Sequence, residues 1–332
     1  MLTAAIEGPR TASLREIAEP ARRDGWVKVN VTLAPLCTEF GAYAAGSVGH
    51  SLGHEAVGGV ADADPTSALR VGDSVIAMPL LGCGACTLCV AGDYIHCSRG
   101  IDGEEPLGTI RQTIVKPERL LVPVPEGLTD EEASLACCAL GASFGAFERV
   151  QVSAADTLLV TGLGPVGLGA VVHGAMRGCR VIAVDTNPYR SALASDLGAD
   201  VVMAPSDDTA ALIKDLCGGS GPDLALECSG VVSAQRICID SVRRRGSVGF
   251  IGNSFGETSL TVSTDLIFTG ITMFGSWHYN LASAPRLLTL IARHRSLVSR
   301  LVTHRFPLSR IGDAWDTQLT GQCGKVLIEM PR

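Results

Sequence analysis

The chain has 332 residues, enough for two domains that each bury a core of their own. Its residues are 46% hydrophobic and 18% charged, the balance of a soluble globular protein. A net charge of −7 argues against a face for nucleic acid or anionic lipid.

Met1 to Arg10 carries Glu7 and Arg10 and has no long apolar core, so no signal peptide is expected. No apolar run reaches the ~18 residues of a membrane span. Twelve cysteines in such a chain point to a reducing cytoplasm, with thiols free or bound to metal. Trp26–Leu33 (WVKVNVTL) alternates as a strand with one buried face. Cys37 falls in the following loop, and Gly53-His54-Glu55 comes shortly after. Glu55–Ala61 and Asp73–Ala77 are short apolar runs beside Gly, Asp and Pro. Cys83, Cys86, Cys89 and Cys97 then follow as C-x2-C-x2-C-x7-C. Short loops of this kind gather four thiolates round a closed, structural zinc ion, and Gly82, Gly84 and Gly92 let the chain turn sharply. A shell filled by protein leaves no room for substrate. Leu120–Val124 ends a series of short strands that reads as a small, mostly β domain.

After Leu128 the pattern changes. Thr129 is placed to cap a helix, with Glu131 and Glu132 in its first turn, and Cys137 and Cys138 are expected on a helix. Strand and helix signals then alternate: Thr157–Thr161, Leu168–Arg177, Arg180–Val184, Tyr189–Leu197, Leu224–Glu227 and Ser247–Ile251. Such alternation predicts a parallel sheet wrapped by helices. Gly162-Leu163-Gly164-Pro165-Val166-Gly167 joins the first of these strands to the first helix. Its glycines permit a tight turn, and the helix start offers free N–H groups to a pyrophosphate. Asp185 closes the next strand, where a carboxylate accepts hydrogen bonds from ribose hydroxyls and repels a 2′-phosphate, which favours NAD(H). Arg190, a few residues on, is the one group that speaks for a 2′-phosphate. Arg243, Arg244 and Arg245, followed by Gly246, read as the solvated end of a helix. The chain returns to a mixed pattern and reaches a strand at Lys325–Glu329. Cys179, Cys217, Cys228, Cys238 and Cys323 have no metal spacing and read as packing residues.

Cys37, His54 and one of Cys137 or Cys138 suggest, as a set, a three-ligand zinc centre with a position open for water or substrate. In its order of motifs the chain resembles a zinc-dependent alcohol dehydrogenase of the medium-chain dehydrogenase/reductase superfamily. The Cys37 loop, Gly53-His54-Glu55, the cysteine quartet, the glycine turn and Asp185 carry the likeness. Asp223–Gly230 (DLALECSG), Gly275-Ser276-Trp277 and Gly324-Lys325-Val326 extend it over essentially the whole chain.

The resemblance implies an α/β protein: a Rossmann doubly wound parallel sheet plus a GroES-like, mostly β catalytic domain. Residues 1–138, completed by 280–332, would form the GroES-like domain, and 139–279 the dinucleotide-binding domain. Cys37, His54 and Cys138 match the family's catalytic zinc ligands, with Cys138 preferred over Cys137 by its distance to Phe144-Gly145. Glu55 matches the acid beside the metal, which stands behind the ligands or serves as an alternate one, so that either Glu55 or Cys138 would complete the shell. Two zinc ions per subunit, NAD(H), and a homodimer or homotetramer with Val262–Met273 as a candidate contact are implied. Relatives carry cysteine, one residue, Ser or Thr, then an acid; here Thr38 and Glu39 follow Cys37 directly, and Gly41, Ala42 and Tyr43 stand where a relay histidine is common. Thr38 is the candidate hydroxyl for the substrate oxygen.

The expected activity is reversible conversion of an alcohol, such as a secondary alcohol, polyol, sugar or aminocyclitol, into its carbonyl, with no nucleic-acid or membrane partner. Arg111, Gln112, Trp277, His278, Tyr279 and Asn280 are polar groups suited to a hydroxylated substrate. Two rival readings are a non-catalytic protein that binds nucleotide and zinc, and a zinc-independent enone or quinone reductase.

Overall fold

The computed structural model describes residues 1–79, 82–99 and 108–331. It divides into two compact units, Met1–Cys138 with Asn280–Arg332, and Ala139–Tyr279.

The first unit is built on Trp26–Pro35. Val27, Val29 and Val31 point into the core, while Lys28, Asn30 and Thr32 face outward. This strand pairs with Ala56–Asp62 on one side and Lys325–Glu329 on the other, and also with Thr113–Pro117. Ser74–Ala77, Leu121–Pro123 and Val302–Pro307 complete a seven-stranded sheet. Gly58 is what lets the central pair close up: a Cβ there would stand 2.0 Å from the carbonyl oxygen of Asn30. The helix Ile311–Thr320 covers the sheet and buries Trp315, whose ring lies 5.1 Å from that of Tyr43. The expected strand Leu120–Val124 is shorter in fact: a 3-10 turn, Glu118–Leu120, precedes a strand at Leu121–Pro123. Pro117, Pro123 and Pro125 flank it and remove N–H groups that a longer ladder needs.

The second unit is a parallel sheet of six strands. In spatial order they are Val201–Met203, Arg180–Val184, Thr157–Thr161, Leu224–Glu227, Ser247–Phe250 and Thr272–Gly275. The central strands are apolar on both faces because helices cover both. The order reverses at Thr157–Thr161, and ligands of open α/β sheets bind at such a switch point.

Two further expectations need correction. Cys137 and Cys138 lie on a turn between the helices Asp130–Ser134 and Ala139–Arg149, not within a helix. The turn sends consecutive thiols in different directions. Arg243–Arg245 lie beyond the helix Val232–Ser241, in the turn that enters Ser247–Phe250. Arg243 pairs with Asp223, Arg244 donates to the carbonyl of Phe268, and Arg245 itself takes the left-handed φ of +60°. Val262–Ile267 is a single wide helical turn that exposes Val262, Ile267 and Phe268. No helix of the described residues is long and apolar enough to cross a membrane.

His173 sits fully buried on the helix Pro165–Met176, with Nε2 2.9 Å from the carbonyl oxygen of Leu140 and Nδ1 3.3 Å from Arg177. The carbonyl can only accept and the guanidinium only donate, so the neutral Nε2–H tautomer fits. Burial, and secondarily Arg177, pull its pKa down to about 3. An unfolded histidine titrates near 6.5, so the unfolded chain takes up this proton first on acidification. The stability from this group is complete above about pH 6.5 and is lost as pH falls toward 3. H173Q keeps a donor for Leu140 but does not titrate. Urea unfolding is expected to show the wild type losing roughly 1 kcal/mol per pH unit relative to H173Q between pH 6 and 4.

Candidate metal centre and dinucleotide cradle

Three strand ends meet in the first unit. Cys37 follows Trp26–Pro35, His54 and Glu55 precede Ala56–Asp62, and Lys325 opens Lys325–Glu329. The pairing Leu327↔Pro35 and the bond from Leu36 N to Val326 O bring the first and third together. Cys138 joins them from the turn after Asp130–Ser134. One donor atom from each of Cys37, His54, Glu55 and Cys138 lies within 4.8 Å of the others. The Cys37 and Cys138 sulfurs are 3.8 Å apart. Cys137 points elsewhere, toward the carbonyls of Ala56 and Ala77, and burial drives its thiol pKa up. Two thiols and an imidazole are a donor set suited to zinc.

Glu39 is the residue the sequence left without a role. It opens the helix Glu39–Ala45, with Thr38 at the N-cap making no side-chain cap bond. The buried Glu39 carboxylate lies 3.1 Å from His54 Nδ1 and accepts from the Cys37 backbone N–H at 2.8 Å. It thereby fixes the ring through Nδ1 and leaves Nε2, 3.6 Å from Glu55 Oε1, as the nitrogen available to a metal, as carboxylates behind metal-binding histidines do. An acid within two positions of a candidate cysteine ligand was the available signal. Burial opposes a charged His54, but the bonds to Cys37 and Glu39 raise its pKa to about 11. The bond from Cys138 pulls Cys37 well below the usual thiol range. The pocket thus favours a thiolate beside a cation.

Behind this cluster lies a fully buried ion pair. Lys325 Nζ donates to Glu55 Oε1 at 2.6 Å, and that oxygen is 3.6 Å from His54 Nε2. Burial pushes the Glu55 carboxyl up to about 7 against the pull of Lys325. Burial likewise opposes charge on Lys325, but Glu55 and Cys37 outweigh it and raise its pKa. The other oxygen, Oε2, is buried and has no hydrogen-bond partner among the described residues.

Cys83, Cys86, Cys89 and Cys97 form a second group whose sulfurs lie within 4.8 Å of one another. Backbone N–H groups of Cys83, Cys86 and Cys89 point at neighbouring sulfurs at 3.3–3.5 Å. The N–H groups of Cys83, foremost, and Arg99 lower the Cys97 thiol to about 6. Cys179, Cys217, Cys228, Cys238 and Cys323 join neither group. Asn280 ties to this lobe by donating to the carbonyl of Ala91. Gln112 accepts from the backbone of Leu2, and Arg111 is buried and donates to the carbonyl of His50. Trp277 is exposed, whereas His278 and Tyr279 are buried and stacked.

In the second unit the strand Thr157–Thr161 runs into the glycine turn. Gly162 has φ +82°, Gly164 is the N-cap and Pro165 the first residue of the helix. Val166 lies in its first turn. A Cβ on Gly167 would stand 1.8 Å from the Gly162 carbonyl oxygen, so the turn tolerates only glycine. Asp185 accepts from Leu163 N with one oxygen and from Asn187 N at 2.7 Å with the other. It borders a cavity of 120 Å³ with Gly162, Thr161, Ser229, Val231 and Ile237. Arg190 lies in the first turn of Pro188–Asp196, its N–H bonded to the Asn187 side chain.

Residues 23–126 match the alcohol dehydrogenase GroES-like domain, and residues 165–293 match the zinc-binding dehydrogenase family. The uncharacterized zinc-type alcohol dehydrogenase-like protein YphC of Escherichia coli K12 is 30% identical, covering 100% of this chain and 99% of its own. The chain belongs to the zinc-dependent alcohol dehydrogenase family. Its fold is that of the medium-chain dehydrogenases/reductases, a GroES-like unit and a Rossmann unit. L-threonine 3-dehydrogenase of Francisella tularensis subsp. novicida is 29% identical over 83% of this chain and 82% of its own. Alcohol dehydrogenase TADH from Thermus sp. ATN1 superposes with a TM-score of 0.89 at 24% identity, with both chains covered completely.

This dehydrogenase-family chain should depend on Glu39 for metal affinity. E39A is expected to weaken zinc binding at the Cys37 group by about 10- to 100-fold in a competitive chelator titration, with little loss at the quartet.

Proposed function

We propose that the protein is a zinc-dependent, NAD(H)-linked oxidoreductase that interconverts an alcohol and its carbonyl. The observation that carries this reading is the convergence of half-buried Cys37 and His54 with buried Cys138, with Glu39 locked behind the histidine. Three protein ligands leave one position for substrate, whereas the quartet at Cys83–Cys97 has the composition of a closed structural site. That composition favours two zinc ions per subunit. When bound at Cys37, His54 and Cys138, zinc supplies Lewis acidity that makes an alcohol oxygen acidic near neutral pH. NAD supplies the hydride acceptor.

The chain's own residues do the rest. Glu39 holds His54 in one orientation. Thr38, at the start of the helix beside Cys37, is the hydroxyl proposed to bond the substrate oxygen. The N–H groups after Gly164, with Pro165 and Val166 in the first turn and Gly167 allowing the close approach, face a pyrophosphate. Asp185 is proposed to take the ribose hydroxyls, which favours NAD over NADP, and Arg190 stands nearby. A relative that dehydrogenates L-threonine at position 3 supports a secondary alcohol as substrate. A polyol, a sugar or an aminocyclitol fits the same chemistry. A cytoplasmic setting agrees with the free thiols.

The test is NADH absorbance over a panel of secondary alcohols and polyols, with and without chelator. Turnover is expected with NAD, at least ~10-fold weaker with NADP, and abolished by zinc removal while NADH binding persists. C37S should behave like the zinc-free protein, while C86S should lower the unfolding temperature first. Undiminished turnover in folded protein shown to contain no metal would overturn the reading.

Self-association is proposed through Val262–Met273, which exposes Val262, Ile267 and Phe268 and leads into the edge strand Thr272–Gly275. An open ladder beside apolar side chains favours pairing with a second copy. Sedimentation equilibrium should give a dimer or tetramer, and I267D/F268D should shift it toward monomer.

A further inference from the structure

We propose that Lys325 is a positioning residue that holds Glu55 off the Cys37–His54–Cys138 group and so keeps a bound zinc ion open to substrate. The inference rests on the zinc reading above and adds what decides how many protein ligands the ion receives.

Glu55 is close enough to be a fourth ligand. One of its carboxylate oxygens lies within the same 4.8 Å span as the two sulfurs and the imidazole. Both Glu55 and Lys325 are 0% exposed, so water cannot compete for either. Oε1 is taken by Lys325 at 2.6 Å, and Oε2 has no hydrogen-bond partner among the described residues. A buried carboxylate with an idle oxygen beside a cation site moves onto the cation unless something holds it back.

Charge gives the same answer. Two thiolates cancel a divalent zinc ion, which leaves the carboxylates of Glu39 and Glu55. Glu39 is held by His54 Nδ1 and the Cys37 N–H, and Lys325 balances the fully buried Glu55. With the ammonium gone, the nearest positive charge for the carboxylate is the metal. Cys37, His54, Cys138 and Glu55 would then fill the shell, as in structural sites.

The hold is rigid because it is set by backbone. Lys325 starts a central strand, where Leu327 pairs with Pro35 and Leu36 N bonds Val326 O. On its other side, Gly324 N donates to Thr303 Oγ1 at 2.9 Å. The ammonium is therefore delivered by the same ladder that delivers Cys37.

The test uses full-length protein with cobalt(II) at the Cys37 group and zinc retained at the quartet. Visible d–d bands are followed as imidazole, an added ligand, is titrated. In the wild type the bands should shift. K325M should keep its cobalt, lose the imidazole-dependent shift, and turn over about 10- to 100-fold more slowly. E55Q/K325M should regain the shift, because the carboxylate that closes the shell is gone; loss of packing at Lys325 alone would not be rescued this way. K325R should keep the response. Should K325M fail to fold, K325Q replaces it and is compared with E55Q/K325Q. A K325M or K325Q protein that answers imidazole like the wild type overturns the proposal. So does a folded one that has lost its metal, or a double variant that stays silent. Wild-type protein that binds no cobalt at Cys37, His54 and Cys138 overturns the zinc reading as well.

Discussion

The antiparallel alignment of Trp26–Pro35 between Ala56–Asp62 and Lys325–Glu329 is the constraint on which the chemistry depends. Each of these strands begins or ends at the same level of the sheet, where Cys37, His54 with Glu55, and Lys325 come together. A slip of one residue would turn Lys325 to the other face and leave Glu55 without a counter-charge. Breaking a buried pair of this kind costs on the order of 3–5 kcal/mol, a large part of a typical domain's stability. Fold and site are thus held by one set of backbone bonds. The tight contact at Gly58 is the local condition for that alignment, because a side chain there would push the two strands apart.

Much of this architecture is legible in the sequence because it is written in period and spacing. The alternation in WVKVNVTL, the apolar strands around the glycine turn, and the C-x2-C-x2-C-x7-C run each depend on neighbours in the chain. The parallel pairing of the second sheet follows from the alternation of strand and helix, whereas its outer strands Val201–Met203 and Thr272–Gly275 carried no such signal. Where local signals conflict, the reading fails. Thr129 caps a helix with a full capping box, yet the helix stops at Ser134, and the cysteines that follow sit on a turn. Apolar composition alone does not mark that stop.

The missing parts of the site were those carried by long-range pairing. Glu39 looked misplaced because it follows Cys37 by two positions rather than three. The helix that begins at Glu39 folds its carboxylate back onto the Cys37 N–H and His54, so the shortened spacing still reaches the ring. Lys325 was visible only as part of a family motif. Its partner Glu55 lies far away in sequence, and nothing local to either residue announces the pair. Asp185 shows the converse: its position was legible, but its bonds to Leu163 and Asn187, which tie the glycine turn to the next loop, were not.

The order of the chain has a bearing on how the protein is made. A ribosome delivers Cys37, His54, Glu55 and Cys138 before the nucleotide-binding unit, and Lys325 only after it. Lys325 rides on a strand that pairs with Trp26–Pro35, so the counter-charge of the buried Glu55 exists only once that late strand has joined the sheet. Polypeptide that lacks this strand would leave the carboxylate without its ammonium, and completion of the sheet is the last step in assembling the pocket.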